Sequence, residues 1–152
     1  MEISITELAE HHLDEIAVTA REIDKEEIWL QTGKPLGQVL VGAIDCSSES
    51  WAGYADDDLV CIWGVTVGDI SRGVGIPWLI ATDGLEEITV PFLRRGWYYL
   101  NRMKVTYPIL QNVVYEKNVT AKRWLQWMGF DMGEIVEYGA HRAPFRHFQW
   151  RQ

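Results

Sequence analysis

The order in which strand-like and helix-like patterns follow one another constrains the fold of this chain more than any other feature of its sequence. Apolar residues that alternate with polar ones, or that form short β-branched runs, predict strands, whereas apolar residues three and four apart predict helices. By these rules strands are predicted at 3–6, 51–54, 59–67, 76–81, 110–115, 134–141 and 145–150. Helices are predicted at about 11–30, 36–43, 90–105 and 119–128. The predicted order is therefore β-α-α-β-β-β-α-β-α-β-β.

Glycine, proline and capping residues mark the ends of these elements. Gly33 and Pro35 end the first helix, because glycine favours a left-handed terminal turn and proline cannot continue a helix. Asp83, followed three residues later by Glu86, matches a capping box and predicts a helical turn. Pro91 interrupts that turn, because an interior proline removes a hydrogen-bond donor and clashes with the turn before it. We therefore expect a short helical turn followed by the long helix.

The length and the cysteine content narrow the class of protein. A chain of 152 residues predicts a single domain, 1–152, with a sizeable core. Two cysteines, Cys46 and Cys61, are too few for a disulfide framework and are typical of a reducing compartment. No segment approaches the ~20 apolar residues of a membrane helix, and the first residues lack the pattern of a signal peptide. We expect a cytoplasmic protein without a membrane partner.

The charge balance bears on the class of ligand. The net charge is −8, from 22 acidic and 14 basic residues. Nucleic-acid binders gain most of their affinity by neutralising phosphates, so we expect no nucleic-acid partner. His11 and His12 are adjacent and do not share a helix face. No cysteine or histidine lies at ligand spacing nearby, so no metal site is expected.

The segment 118–130 contains an asparagine, an alanine three residues later and a closing Gly-Phe pair. Asn118 is suited to cap a helix, Ala121 allows that helix to lie close to a sheet, and Gly129 suits a left-handed turn. Together with the element order, this segment resembles the GNAT (GCN5-related N-acetyltransferase) fold over nearly the whole chain. The resemblance implies an α+β fold, a mixed sheet flanked by helices, and transfer of acetyl from acetyl-CoA to an amine.

A narrower resemblance concerns the strand at 77–82, the long helix with Arg94 and Arg95, and the segment 118–130. These features are similar to GNAT-like proteins of tailed bacteriophages, a group that includes a small internal virion protein of short-tailed phages. This resemblance implies an alternative function: a catalytically inactive GNAT-like phage protein that serves as a virion component or binds a host protein. Its location would then be the host cytoplasm or the virion.

The GNAT resemblance also implies a site for acetyl-CoA between the strands at 76–81 and 110–115. In the family, a glycine-rich turn at a helix N-terminus holds the pyrophosphate with backbone N–H groups. Here that turn is 82–87, which contains one glycine and three carboxylates, and carboxylates compete for the same donors. The glycine-rich motif could instead be matched to residues 72–77, but this alignment leaves one strand too few before the helix. The cofactor-binding residues implied are Leu79, Ile80, Ala81, Thr82, Gly84, Arg94, Arg95 and Asn118.

The resemblance implies a position for the catalytic acid, but this chain has no acidic side chain there. Many family members have a tyrosine in the last helix that protonates the leaving CoA thiolate, and Leu125 occupies that position. Tyr115 and Glu116 are the nearest candidates for a catalytic role. A base for the amine must be a carboxylate or a histidine in the cleft, and Asp69, Glu116 and His141 are candidates. The acceptor is unidentified; the acidic surface favours a cationic small molecule or a basic protein.

Overall fold

One seven-stranded sheet, with strand order β1-β2-β3-β4-β5-β7-β6, runs through the computed structural model, which describes all residues from Met1 to Gln152. The strands are β1 (Ile3–Glu7), β2 (Ser47–Ala55), β3 (Asp58–Val67), β4 (Val74–Ala81), β5 (Ile109–Tyr115), β6 (Asp131–Tyr138) and β7 (Ala143–Arg151). The helices are α1 (Glu10–Thr19), α2 (Glu22–Thr32), α3 (Leu36–Leu40), α4 (Ala43–Cys46), α5 (Asp83–Glu87), α6 (Thr89–Thr106) and α7 (Val119–Trp127). A short 3₁₀ turn, Ile70–Arg72, precedes β4. The predicted α+β class is confirmed.

The sheet is mixed because one pair of neighbouring strands is parallel. All other neighbours are antiparallel, whereas β4 and β5 run in the same direction. The parallel pair is joined only through Val74 with Ile109 and Gly75 with Leu110. Beyond these two pairs the strands diverge, so the sheet contains a gap that widens toward the C-terminal ends of β4 and β5.

Helices pack on both faces of the sheet. On one face α1 and α3 contribute buried side chains such as Ile16 and Leu36. On the other face α6 and α7 contribute Leu100 and Trp124 to a larger core. Since apolar side chains cover both faces, β3 is buried from residue 59 to residue 65. No helix is long and apolar enough to span a membrane.

The prediction of one helix over 11–30 is wrong, because the chain leaves helical geometry at Ala20 and Arg21. The ψ angles there are 151° and 143°. Ala20 forms an isolated bridge with Thr82, and the backbone N–H of Arg21 donates to the carbonyl of Ala81 at 2.8 Å. The end of β4 therefore binds the chain between α1 and α2 and separates the two helices.

The predicted turn before the long helix is confirmed as α5, but Pro91 does not interrupt any element. The two helices are separated at Ile88, whose φ and ψ are −128° and 27°. Pro91 lies in the first turn of α6, where backbone N–H groups have no intrahelical acceptor. A proline is tolerated there at little cost.

Candidate functional site

The gap between β4 and β5 places backbone groups of β4 beyond the reach of the backbone of β5, so side chains bind them instead. The carbonyl of Pro77 accepts a hydrogen bond from Asn112 Nδ2 at 2.9 Å, and the N–H of Ala81 donates to Asp24 Oδ2 at 2.9 Å. Backbone N–H groups alternate in direction along a strand. The N–H of Leu79, midway between these residues, therefore points into the same gap.

A cavity of about 190 Å³ occupies this gap and continues between the sheet and α6 and α7. Most of the residues that line it are apolar. Those from α6 and α7 are Phe92, Leu93, Gly96, Leu100, Met103, Ala121, Trp124 and Leu125. From the other face α2 contributes Asp24 and Glu27. A narrow apolar passage with carboxylates at one side is suited to a slender ligand whose reacting end is polar.

Arg21, Asp24 and Asn118 form a buried polar cluster at the open end of the gap. These three residues are 3%, 2% and 1% exposed. Arg21 donates to both oxygens of Asp24, at 2.7 and 3.3 Å, and its guanidinium lies 4.7 Å from the ring centre of Trp124. Asn118 Nδ2 donates to Asp24 at 3.3 Å. Every member has partners, as buried charges require, so the cluster connects α2 to the ends of both diverging strands.

Asn118 also caps α7, as the sequence predicts. Its Oδ1 accepts a hydrogen bond from the backbone N–H of Ala121 at 3.3 Å. At the other end of the helix Gly129 has a φ of 94°, a value that favours glycine. The helix therefore begins at the open end of the gap, with Trp124 and Leu125 facing the cavity.

Glu27 is the ionisable side chain of the cavity with the most unusual environment. Its Oε1 accepts a hydrogen bond from the backbone N–H of Tyr115 at 2.6 Å. The residue retains some exposed surface, but its carboxyl group lies inside the protein, and this burial raises its pKa to about 7. The hydrogen bond from Tyr115 opposes the shift, and the negative charge of Asp24 adds to it. A carboxyl group with such a pKa can exchange a proton near neutral pH.

Glu27 was not among the candidates from the sequence, although a signal for it exists. Asp24, Glu27, Ile28 and Gln31 have the spacing of one helix face, and all four line the cavity. If 11–30 formed a single helix, as the sequence predicts, the spacing alone would not show whether that face points toward the gap. The break at Ala20 and Arg21 turns it toward the gap.

A second, open groove of about 380 Å³ lies between the N-terminal parts of α6 and α7. Its polar lining residues include Glu86, Thr89, Thr120 and Arg123. Leu93 and Trp124 line both the groove and the cavity, so the two spaces adjoin. The hydroxyl groups and the guanidinium offer donors to an anionic ligand group, whereas the carboxylate of Glu86 opposes one.

The turn at 82–87 differs from its predicted capping pattern. Thr82, rather than Asp83, is the N-cap, and its Oγ1 accepts a hydrogen bond from the N–H of Gly84 at 3.2 Å. With Thr82 as the N-cap, Leu85 occupies the third helical position, so Glu86 cannot complete a capping box. Its Oε1 instead accepts a hydrogen bond at 3.1 Å from Arg21, 65 positions away in sequence.

The predicted cofactor-binding residues separate into two groups. Leu79, Ile80 and Asn118 line the cavity, and Ala81, Thr82 and Gly84 form the adjoining end of β4 and the turn. Arg94 and Arg95 are exposed and line neither space. Arg95 instead donates to the carbonyl of Ile3 at 3.0 Å, so it lies against the opposite edge of the sheet.

Both candidates for a catalytic role, Tyr115 and Glu116, lie outside the cavity, whereas the position of the family's tyrosine lies at it. Leu125 lines it, but a leucine cannot donate a proton. The buried ring of Tyr115 packs against Phe145, with 5.5 Å between ring centres. Glu116 pairs with Arg146 and Lys122, and the hydrogen bonds from Arg146 lower its pKa.

The two other candidate bases also lie elsewhere. Asp69 is exposed and accepts hydrogen bonds from Ser71, which lower its pKa. His141 lies beside Trp29, with 5.4 Å between ring centres. The structure therefore brings neither residue to the gap. No three histidine, cysteine or acidic side chains are grouped so that they could hold a metal ion.

Comparison with known proteins shows similarity in structure but not in sequence. No protein-family model and no curated protein matches the chain. A GNAT-family acetyltransferase from Streptococcus pneumoniae superposes with a TM-score of 0.67 at 16% identity, over 99% of both chains. Spermidine N-acetyltransferase from Vibrio cholerae, solved with CoA and spermine, has a TM-score of 0.67 at 12% identity and covers 99% of this chain and 95% of its own.

A third solved structure is an aminoglycoside acetyltransferase in complex with coenzyme A. It has a TM-score of 0.67 at 15% identity, over 99% of this chain and 95% of that chain. The TM-scores establish a common fold, whereas identities this low leave the ligand and the reaction to be argued from the residues themselves. The chain has the fold of the GNAT acetyltransferases.

Proposed function

We propose that this protein is an N-acetyltransferase that transfers acetyl from acetyl-CoA to a cationic amine. The observation that carries the proposal is the apolar cavity in the gap between β4 and β5, with the carboxyl group of Glu27 at its side. Acetyl transfer is favoured by a space that holds the thioester and the amine together and by a group that accepts the proton of the amine. The cavity in the gap offers the first, and Glu27 offers the second.

The lining of the two spaces fits acetyl-CoA, which would supply the acetyl thioester. The apolar cavity would receive its slender arm, and the N–H of Leu79 is a donor for a thioester carbonyl in the gap. The groove would receive the nucleotide end. Arg123 offers a cation there, and Trp127, 43% exposed, offers an aromatic surface.

Glu27 is the residue that we assign as the general base. The ammonium form of a cationic amine must lose a proton before its nitrogen can attack the thioester carbonyl, and a base works best when its pKa lies near the working pH. The pKa of about 7 meets that condition. As the new C–N bond forms, the C–S bond of the thioester breaks and the CoA thiolate leaves. Leu125 cannot protonate that thiolate, so its proton would come from protonated Glu27 or from water.

The acidic side of the cavity indicates the charge of the acceptor. Glu27 lines it and forms no ion pair, whereas the charge of Asp24 is balanced by Arg21; the whole chain has a net charge of −8. Such a field attracts cations and repels anionic acceptors. The Vibrio cholerae protein is named a spermidine N-acetyltransferase, which supports a cationic amine as the first class to test.

Calorimetric titration with desulfo-CoA, followed by an acetyl-transfer assay with a panel of polyamines and basic peptides, tests the proposal. We expect micromolar binding, and turnover that falls by about 100-fold or more in Glu27→Gln while binding of desulfo-CoA is retained. The matched control is Glu26→Gln, an exposed neighbour on the same helix. No binding at millimolar ligand, or equal turnover in Glu27→Gln and wild type, would contradict it.

The alternative of an inactive phage protein that acts in a virion or on a host protein stays a prediction, as does the cytoplasmic location. No contact or surface in the structure favours a virion partner. Leu125 and the carboxylates of the turn are compatible with an inactive protein, and the titration above separates the two functions.

A further inference from the structure

Arg21 forms ion pairs with two carboxylates, Asp24 and Glu86, although one carboxylate is enough to neutralise its charge. Asp24 is buried with it and accepts two of its hydrogen bonds, through Nε and Nη2. Asp24 also binds the N–H of Ala81 and the amide of Asn118. Removing Asp24 would leave buried charge unpaired, so the Arg21–Asp24 pair is a permanent part of the core.

The bond from Arg21 to Glu86 differs from that pair in every respect. Glu86 makes a single hydrogen bond to Arg21, at 3.1 Å through Nη1, and its side chain is 46% exposed. It belongs to the five-residue helix α5 rather than to the core. The half-exposed carboxylate of Glu86 regains water when it leaves, but Nη1 of the buried Arg21 has no other acceptor, so Glu86 leaves at small cost only when another acceptor takes its place.

The place that Glu86 occupies is where the groove meets the cavity. Glu86 lines the groove, Arg21 lines the cavity, and Trp124, on which the guanidinium of Arg21 lies, lines both. The carboxylate of Glu86 therefore covers Nη1 of Arg21 from the groove side. If the carboxylate moves away, a guanidinium N–H faces the space through which an anionic ligand would pass.

We propose that Glu86 is an internal competitor for Arg21, and that a diphosphate group bound in the groove displaces it. A phosphoryl oxygen and a carboxylate oxygen use the same guanidinium N–H, so only one can be bound. This inference rests on the proposed function for the ligand's identity. Beyond that function, the inference states that Glu86 lowers the affinity for the diphosphate group, because Glu86 must be displaced before the group can bind Arg21.

The charge-matched variants Glu86→Gln and Glu87→Gln test this competition. Both remove one negative charge from exposed positions of the same turn, but Glu87 forms none of the ion pairs of the structure. Titration of each with desulfo-CoA should show binding tighter by about fivefold or more for Glu86→Gln and little changed for Glu87→Gln. Equal gains in the two variants, or no gain in Glu86→Gln, would overturn the inference while leaving acetyl-CoA binding intact.

Inorganic diphosphate is the second probe and separates the two proposals. If desulfo-CoA binds no variant but diphosphate binds Glu86→Gln more tightly than wild type, the competition at Arg21 stands and the acetyl-CoA function falls. If neither probe binds any variant, both proposals fall.

Discussion

At the scale of single residues, the most consequential feature is that α2 places two carboxyl groups in the gap of the sheet with opposite environments. Asp24 accepts three kinds of donor, from Arg21, Asn118 and the N–H of Ala81. Glu27 has the N–H of Tyr115 and is otherwise desolvated. The carboxylate of Asp24 is therefore held in place by its partners, whereas the carboxyl group of Glu27 is available to take a proton.

Glu27 should make the stability of the protein depend on pH. Its pKa is about 7 in the folded protein and 4.5 ordinarily, so folding favours its protonated form. The resulting stabilisation is present below pH 4.5 and is lost as pH rises through 7. Relative to Glu27→Gln, wild type should lose about 3 kcal/mol of unfolding free energy between pH 4.5 and 8.

Urea denaturation of wild type and Glu27→Gln at several pH values measures this difference. Glu26→Gln is again the control for removal of one negative charge. A difference between wild type and Glu27→Gln that does not vary with pH would show that the carboxyl group is not held in its protonated form near neutral pH, and would remove the basis for its role as a base.

At the scale of elements, the helix boundaries show how tertiary contacts select among local preferences. Ala20 and Arg21 are good helix formers, and apolar residues continue at helical spacing on both sides of them. Both residues nevertheless adopt extended backbone geometry, because the end of β4 offers a carbonyl and a bridge partner. The hydrogen bond from Arg21 to Ala81, which belongs to that bridge, replaces continued helix at this point.

Pro91 provides a prediction at the same scale. It lies in the first turn of α6, where no intrahelical hydrogen bond is lost, so Pro91→Ala should change the free energy of unfolding by less than about 1 kcal/mol. Asn101→Pro, at an exposed position within the same helix, should cost about 3 kcal/mol or more. Chemical denaturation of the two variants checks the contrast; equal losses would mean that α6 does not begin at Thr89.

At the scale of the whole molecule, the sheet holds its shape although its centre is only partly joined. Neighbouring strands β3 and β4 are paired over seven positions, whereas β4 and β5 share two pairs. The helices on both faces and the cluster of Arg21, Asp24 and Asn118 hold the diverging ends in place. A space for a ligand is thus built into the sheet without breaking its hydrophobic core.

Amide hydrogen exchange at β4 reports directly on this gap. The N–H of Leu79 points into it, whereas that of Ile80 points toward β3. Leu79 should therefore exchange faster than Ile80 in the free protein, by about 10-fold or more. Binding of desulfo-CoA should slow hydrogen exchange at the N–H of Leu79 and leave that of Ile80 little changed. Binding without protection of Leu79 would place the ligand outside the gap.

The sequence by itself determined the order of the seven strands, the places of the long helices α6 and α7 between them, and the ends of α7. These features depend on local chemistry, namely apolar periodicity, the side chain of Asn118 and the conformational freedom of Gly129, so they can be predicted from neighbouring residues. The predicted cofactor residues in β4 and at Asn118 lie at the gap for the same reason, since they follow from the element order.

Only the tertiary structure decided which side chains meet at that gap. The break at Ala20 and Arg21 depends on the end of β4, and it orients Asp24 and Glu27 toward β5. Glu86 pairs with Arg21 rather than completing a local cap, and Arg95 binds the first strand rather than the turn. Such pairings join residues far apart in sequence, and the raised pKa of Glu27 arises from burial, a property that no local pattern specifies.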